Sequence, residues 1–143
     1  MDGWQSVYDS EEMVKTFNLR RKIVGIRLEE RDEIILDTIP FCDDDVFRIL
    51  DLGAGMGCFT IKLREQFPKA EIVCLDGSKK MLAIVDSILE HDKTVSFICK
   101  DFSKASWIQG IEGKFDVIIS IGAIHHISDV RKKQLFSEVY TLG

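Results

Sequence analysis

A short apolar run, Val46-Phe-Arg-Ile-Leu50, leads directly into Asp51-Leu-Gly-Ala-Gly-Met-Gly57, and a second run, Glu71-Ile-Val-Cys-Leu-Asp76, closes on an acid. Runs of strand formers cut off by glycines, whose backbone can turn where other residues are strained, read as strands ending in tight turns. Between them Phe59, Ile61, Leu63 and Phe67 suggest a helix stopped at Pro68. The stretch is therefore a β-α-β unit, which requires parallel strands.

The rest of the chain extends the pattern. Ser78 can cap a helix carrying Met81, Leu82, Ile84, Val85, Ile88 and Leu89 as one stripe. Val95 to Cys99 reads as a third strand, Asp101 to Gly113 as a loop or short helical stretch, Phe115 to Gly122 as a fourth strand, and Val130 to Tyr140 as a last helix. Upstream, Glu11 to Ile39 reads as helix in one or two pieces, ended by Pro40. Nearly unbroken apolar strands alternating with helices predict a doubly wound, Rossmann-like α/β fold whose parallel sheet is covered on both faces. The expected division is a helical segment over 1–45 and an α/β core over 46–143, within one structural domain. In such sheets ligands sit outside the carboxyl ends of the strands, so chemistry is expected in the turns after Leu52, Leu75, Lys100 and Ser120.

Composition narrows the function classes. The 143 residues suit one domain, and 19 Lys plus Arg against 24 Asp plus Glu leave a net charge of −5, with no global positive field for a nucleic-acid backbone or anionic lipid. Arg20-Arg21-Lys22 and Arg131-Lys132-Lys133 read as solvated helix faces. No apolar run reaches membrane-spanning length, and the first residues lack the basic-then-apolar pattern of a signal peptide, so a cytoplasmic protein is expected. Cys42, Cys58, Cys74 and Cys99 show neither a C-x-x-C pair nor metal-ligand spacing; they read as reduced, mostly buried thiols, with no metal site.

The glycine turn gains meaning from Asp76, 23 residues beyond Gly53. A carboxylate at the end of the second strand can accept hydrogen bonds from both hydroxyls of a ribose, while the turn exposes helix N-terminal amides. Together they point to a nucleoside-containing cofactor. The dinucleotide fingerprint G-x-G-x-x-G/A is not met, because Cys58 holds its sixth position, the third glycine comes one residue early, and Asp51 precedes the first. A nicotinamide-dependent oxidoreductase is thereby disfavoured.

Four segments, Ile49-Leu-Asp-Leu-Gly-Ala-Gly-Met-Gly57, Cys74-Leu-Asp-Gly-Ser-Lys-Lys-Met-Leu82, Lys100-Asp-Phe102 and Phe115 to Ile127, resemble in order the motifs of class I S-adenosylmethionine-dependent methyltransferases. The resemblance covers about residues 46 to 143. It implies that Gly53, Ala54, Gly55 and Gly57 cradle the methionine part, with Asp51 fixing the turn or meeting the amine through water. Asp76 would hold the ribose, and Gly77 stands where the family often has a bulky apolar residue. Asp101 would accept from the adenine amino group, Phe102 would lie near the ring, and the backbone at Ser120 would face the methionine ammonium. His125 and His126 match a paired-His segment bordering the substrate cavity; one could serve as a base, but the preferred reading is a structural or cavity-lining pair. Trp4, Tyr8, Met13 and Phe17 resemble a lid segment.

The resemblance also implies a strand order of 3-2-1-4 and a continuation into further strands beyond Tyr140. The expectation is accordingly a truncated chain whose fourth strand forms an exposed edge, covered by a second copy in a homodimer. The function expected is methyl transfer from S-adenosylmethionine to a small-molecule acceptor, with S-adenosylhomocysteine as product. The alternative from another class is a cofactor-binding or interaction module without activity of its own.

Overall fold

The structure, a computed structural model, describes residues 11, 12, 15 and 28–143. Trp4, Tyr8, Met13, Phe17 and the Arg20-Arg21-Lys22 cluster lie outside the described residues. Glu11, Glu12 and Lys15 are helical and exposed, and residues 28–37 form helix α1, which ends before Pro40. Asp32 in α1 is wholly buried; it accepts hydrogen bonds from Arg31 and, at 3.0 Å, from Lys62 Nζ, which ties α1 to the helix after the glycine turn.

The elements that follow are β1 (Arg48–Leu52), α2 (Cys58–Gln66), β2 (Glu71–Asp76), α3 (Lys79–Ile88), β3 (Val95–Cys99), a 3-10 turn (Ala105–Ile108), β4 (Val117–Ile119), a second 3-10 turn (Ile124–His126) and α4 (Asp129–Leu142). Every strand pairing is parallel and the order is β3-β2-β1-β4, as expected from the sequence. Ser78 caps α3 by accepting from Met81 N–H at 3.3 Å.

Successive strand residues face opposite sides of the sheet. Ile49, Ile72 and Cys74 enter a core layer with Phe59, Leu63 and Val85, on the side of α2 and α3. Leu50, Leu52, Val73 and Leu75 enter a second layer with Trp107 and Leu135, under α4. By that alternation Asp51 shares the face of Ile49, an acid at a position the pattern reserves for an apolar side chain.

Several expectations need correction. β1 starts at Arg48, leaving Val46 81% exposed. β4 is three residues, not the span from Phe115 to Gly122: Phe115 N–H donates to Leu142 O at the end of α4, and Ser120 begins a turn in which Gly122 takes φ 68°. The four cysteines are free thiols, but only Cys74 is buried, with Cys42 and Cys99 exposed and Cys58 intermediate. Arg131 is not part of a solvated face. It is buried against Glu138, with Nη2 to Oε2 at 2.7 Å, and its guanidinium also donates to the carbonyls of Phe102, Ser103 and Lys104. The outer edge of β4 carries no partner strand among the described residues.

Candidate functional site

The register aligns Asp51 with Cys74 and Ile119, and Asp76 with Cys99, so all four strands release their loops at one edge. Those loops are stitched together. Gly53 N–H and Ala54 N–H both donate to Leu75 O at 2.7 and 3.1 Å, Lys100 N–H donates to Asp76 O at 3.1 Å, and Ser120 Oγ donates to Leu52 O at 2.8 Å.

Within this edge the glycines divide by what surrounds them. A Cβ on Gly53, at φ 76°, would stand 2.3 Å from Ala123 Cβ and 3.4 Å from the Phe102 ring, so this glycine exists to let the loops after β3 and β4 close on the turn. A Cβ on Gly57 would collide with Val85, 2.5 Å away, and Gly57 lets α3 pack against the start of α2. Gly55, at φ 58°, and Gly122, at φ 68°, have nothing within 4 Å of that position. These two line open space, the property of a cradle rather than of packing. Gly57 also provides no side-chain cap, so the first amides of α2 keep their capacity to meet an anionic group.

Two carboxylates flank the cradle. Asp76 Oδ2 accepts from Gly55 N–H at 3.0 Å and its Oδ1 from Ser78 N–H at 2.8 Å, and Gly77 N–H also donates to the carboxylate, which leaves it part of its acceptor capacity. Burial raises its pKa, opposed by the N–H groups of Ser78, Gly55 and Gly77. Asp51, 3% exposed, accepts a 2.6 Å hydrogen bond on Oδ2 from Thr60 Oγ1. Burial lifts its pKa to about 6; the Thr60 hydroxyl opposes this and the Asp76 charge adds to it. Among the described residues no cation contributes to either carboxyl. The edge therefore carries concentrated negative charge awaiting a positive group.

The remaining candidates lie around this centre. Gly77 O accepts from Cys99 Sγ at 3.6 Å, beside Asp76. Asp101 Oδ1 accepts from Ser103 N–H at 2.9 Å, which folds its loop into a turn, while Phe102 packs on the second core layer near Gly53. His125 and His126 sit in the second 3-10 turn with ring centroids 3.9 Å apart; burial, and then the charge of His125, lower the pKa of His126. Sequence reasoning missed Thr60, Cys74 and Arg131. Cys74 faces Asp51 across the β1–β2 register, a relation visible in the sequence once the two runs are aligned, whereas the Arg131 contacts span 27 to 29 residues and leave no local trace.

Comparison with known proteins sets this geometry in context. The family described as methyltransferase domain matches residues 49–142. The malonyl-[acyl-carrier protein] O-methyltransferase of Bacillus anthracis is 34% identical over 85 residues, 59% of this chain and 30% of that protein. The chain thus spans about 30% of the length of the first curated relatives it matches. A Methanococcus maripaludis protein shares the fold with a TM-score of 0.73 at 22% identity, covering 99% of this chain and 62% of the other. Haemonchus contortus phosphoethanolamine N-methyltransferase 2, solved with phosphomonomethylethanolamine and S-adenosylhomocysteine, superposes with a TM-score of 0.65 at 26% identity, over 79% of this chain and 25% of that one.

Proposed function

The chain belongs to the methyltransferase domain family, and on that footing we propose that it binds S-adenosylmethionine and transfers its methyl group to a small-molecule acceptor. The observation that carries the reading is the cradle at Gly55, flanked by two carboxylates with no cationic partner among the described residues. Its donor set suits the ligand: acids for an ammonium and a ribose, amides for a carboxylate, and an aromatic ring for a base. The cofactor supplies a methyl group activated on a sulfonium, which in-line displacement can transfer without a nucleophilic residue on the protein.

In this reading Asp76 accepts from the ribose hydroxyls through its remaining lone pairs, beside Gly77. Gly53, Ala54, Gly55 and Gly57, their own N–H groups held within the turn, shape the cradle for the methionine part, the first amides of α2 meet the aminoacyl carboxylate, and Asp51 and the backbone at Ser120 face the ammonium. Asp101 and Phe102 border the adenine. His126, held toward its neutral form, lines the acceptor side with His125; orientation and exclusion of water suffice for the transfer. A small acceptor is supported by the phosphomonomethylethanolamine in the Haemonchus enzyme, although the Bacillus relative is named for an acyl-carrier-protein substrate. A cytoplasmic location is part of the same proposal; among the described residues no helix is long and apolar enough to cross a membrane. The β4 edge, without a partner strand among the described residues, supports assembly with a second copy. Because the chain spans about 30% of its curated relatives, a cofactor-binding module without turnover is the second reading.

The test is a thermal melt with S-adenosylhomocysteine at about 100 times its dissociation constant, where binding adds roughly 2.7 kcal/mol, with NADH as control. A shift with S-adenosylhomocysteine alone is expected, and Asp76→Ala should remove most of it by deleting two charge-assisted hydrogen bonds worth about 1.5–3 kcal/mol each. Absence of a shift in the unmodified protein refutes the cofactor reading, and binding without methyl transfer to any acceptor favours the module.

A further inference from the structure

Thr60 is wholly buried in the third position of the helix behind the glycine turn, and its one hydroxyl proton is directed at Asp51 Oδ2, 2.6 Å away. Behind it Cys74 Sγ lies 3.8 Å from Thr60 Oγ1. The direction of this chain is fixed. Burial, with the Asp51 charge adding to it, pushes the Cys74 thiol up to about 12, so the sulfur stays protonated and donates; Thr60 accepts from it and donates onward to Asp51. Residues from β2, α2 and β1 thus form a line of donors ending on one carboxylate beside the cradle.

We propose that Thr60 is a positioning residue for Asp51: its hydroxyl orients the carboxylate and keeps it an anion, and thereby sets how strongly the site holds the cationic amino end of the cofactor. This rests on the methyltransferase reading and adds to it the group that controls the charge. A valine has the same shape and would pack equally well in an apolar layer made of Phe59, Leu63 and Val85, so packing does not account for the hydroxyl. The groups facing Asp51 explain why one donor matters. From β2 come the Cys74 thiol and the Asp76 carboxylate, both disfavouring its charge or neutral to it, from β4 comes the apolar Ile119, and from α2 comes Thr60; Arg64, further along α2, acts on the Cys74 thiol. Thr60 is the side-chain donor to the Asp51 carboxylate among the described residues.

The experiment compares the unmodified protein with Thr60→Val and Thr60→Ser. The Asp51 carboxyl is followed by carbon-13 NMR in the ligand-free protein, with Asp51→Asn for assignment, and S-adenosylhomocysteine affinity is measured by calorimetry from pH 5.5 to 8.5. In Thr60→Val the Asp51 midpoint should rise by about one to two pH units, the worth of one hydrogen bond to a charged group. Affinity at pH 7 should fall, up to about tenfold, and return close to that of the unmodified protein at pH 8.5, while Thr60→Ser restores both. An unchanged Asp51 midpoint in Thr60→Val, or an affinity loss equal at all pH values, overturns the proposal. Failure of the cofactor reading looks different: none of the proteins binds S-adenosylhomocysteine at any pH although the Asp51 midpoint still moves, which leaves Thr60 setting a charge that no such cofactor uses and overturns its proposed role in binding.

Discussion

Replacing Arg131 by Met tests the buried cluster that fixes the loop after β3. The guanidinium donates to Glu138 Oε1 at 3.0 Å and Oε2 at 2.7 Å, and to the carbonyls of Ser103, Phe102 and Lys104 at 3.0, 2.9 and 3.3 Å. The two charged side chains are only 10% and 19% exposed, so little solvent screening applies. Methionine fills the stem volume but removes every donor, leaving Glu138 with the Trp107 indole N–H at 2.6 Å. Removing one partner of such a pair costs about 3–5 kcal/mol. Against the 5–15 kcal/mol that holds a domain of this kind together, this is a large fraction. Urea unfolding at pH 7 measures it. The pH dependence supplies the sign: hydrogen bonding from Arg131 lowers the Glu138 pKa, opposed by burial and aided by Trp107 and the Arg131 charge. The pair's contribution is therefore complete above the unfolded carboxyl value of about 4.3 and is lost as pH falls through the folded one. The gap between unmodified protein and variant should narrow below about pH 4. A variant within about 1 kcal/mol of the unmodified protein at pH 7, or a gap that stays constant into acid, would refute the reasoning.

Three further outcomes follow from the site. Gly53→Ala should destabilise by about 2–4 kcal/mol, from its left-handed backbone and the overlap with Ala123; Gly55→Ala, with open space around it, should cost about 1 kcal/mol yet weaken S-adenosylhomocysteine binding, as urea melts and calorimetry would show. Asp51→Asn should stabilise the ligand-free protein at pH 8, since a carboxyl raised from 3.8 to about 6 carries about 3 kcal/mol of penalty in its ionised form. That contribution is present below the unfolded value and lost as pH rises through 6, so the advantage of the variant should vanish near pH 4; an equal advantage at both pH values would refute it. Light scattering at micromolar concentration should give the mass of a dimer if the β4 edge, which has no partner strand among the described residues and shares a cleft with the 87% exposed Tyr140, is covered by a second copy; a monomer mass contradicts that proposal.

The β-α-β unit was legible because every signal in it is local: β2 runs from Glu71 to Asp76 as its apolar stretch reads, and Ser78 caps the helix it precedes. β4 was misread for the opposite reason. Phe115 has the character of a strand residue, but its N–H is claimed by Leu142 at the far end of α4, a competition that sequence periodicity does not record. Arg131 fails in the same way. Followed by two lysines it looks solvated, and only the return of the Phe102–Lys104 loop onto α4 gives it carbonyls to bind. At the candidate site Asp51 and Asp76 were visible as acids that end apolar runs; the group that governs Asp51, Thr60, was hidden because a threonine in a helix facing a sheet reads as ordinary packing.

The two acids also explain why the fold tolerates an arrangement that disfavours itself. Asp51 replaces an apolar residue on an inward face, and both carboxyls are pushed toward neutrality by burial, Asp51 further by its neighbour. Neither gains a cation among the described residues, so in the ligand-free protein their charge is a cost borne by the rest of the core. A ligand that brings positive charge to this edge reverses the sign: it lowers the pKa of both acids, and whatever proton Asp51 still holds near pH 6 leaves as the ligand binds. Affinity should therefore rise with pH across that range, and calorimetry in buffers of different ionisation enthalpy would detect the released proton. A neutral or anionic ligand at the same edge would instead take up protons. The direction of proton exchange thus separates a cation-bearing cofactor from the alternatives on the charges already present in the site.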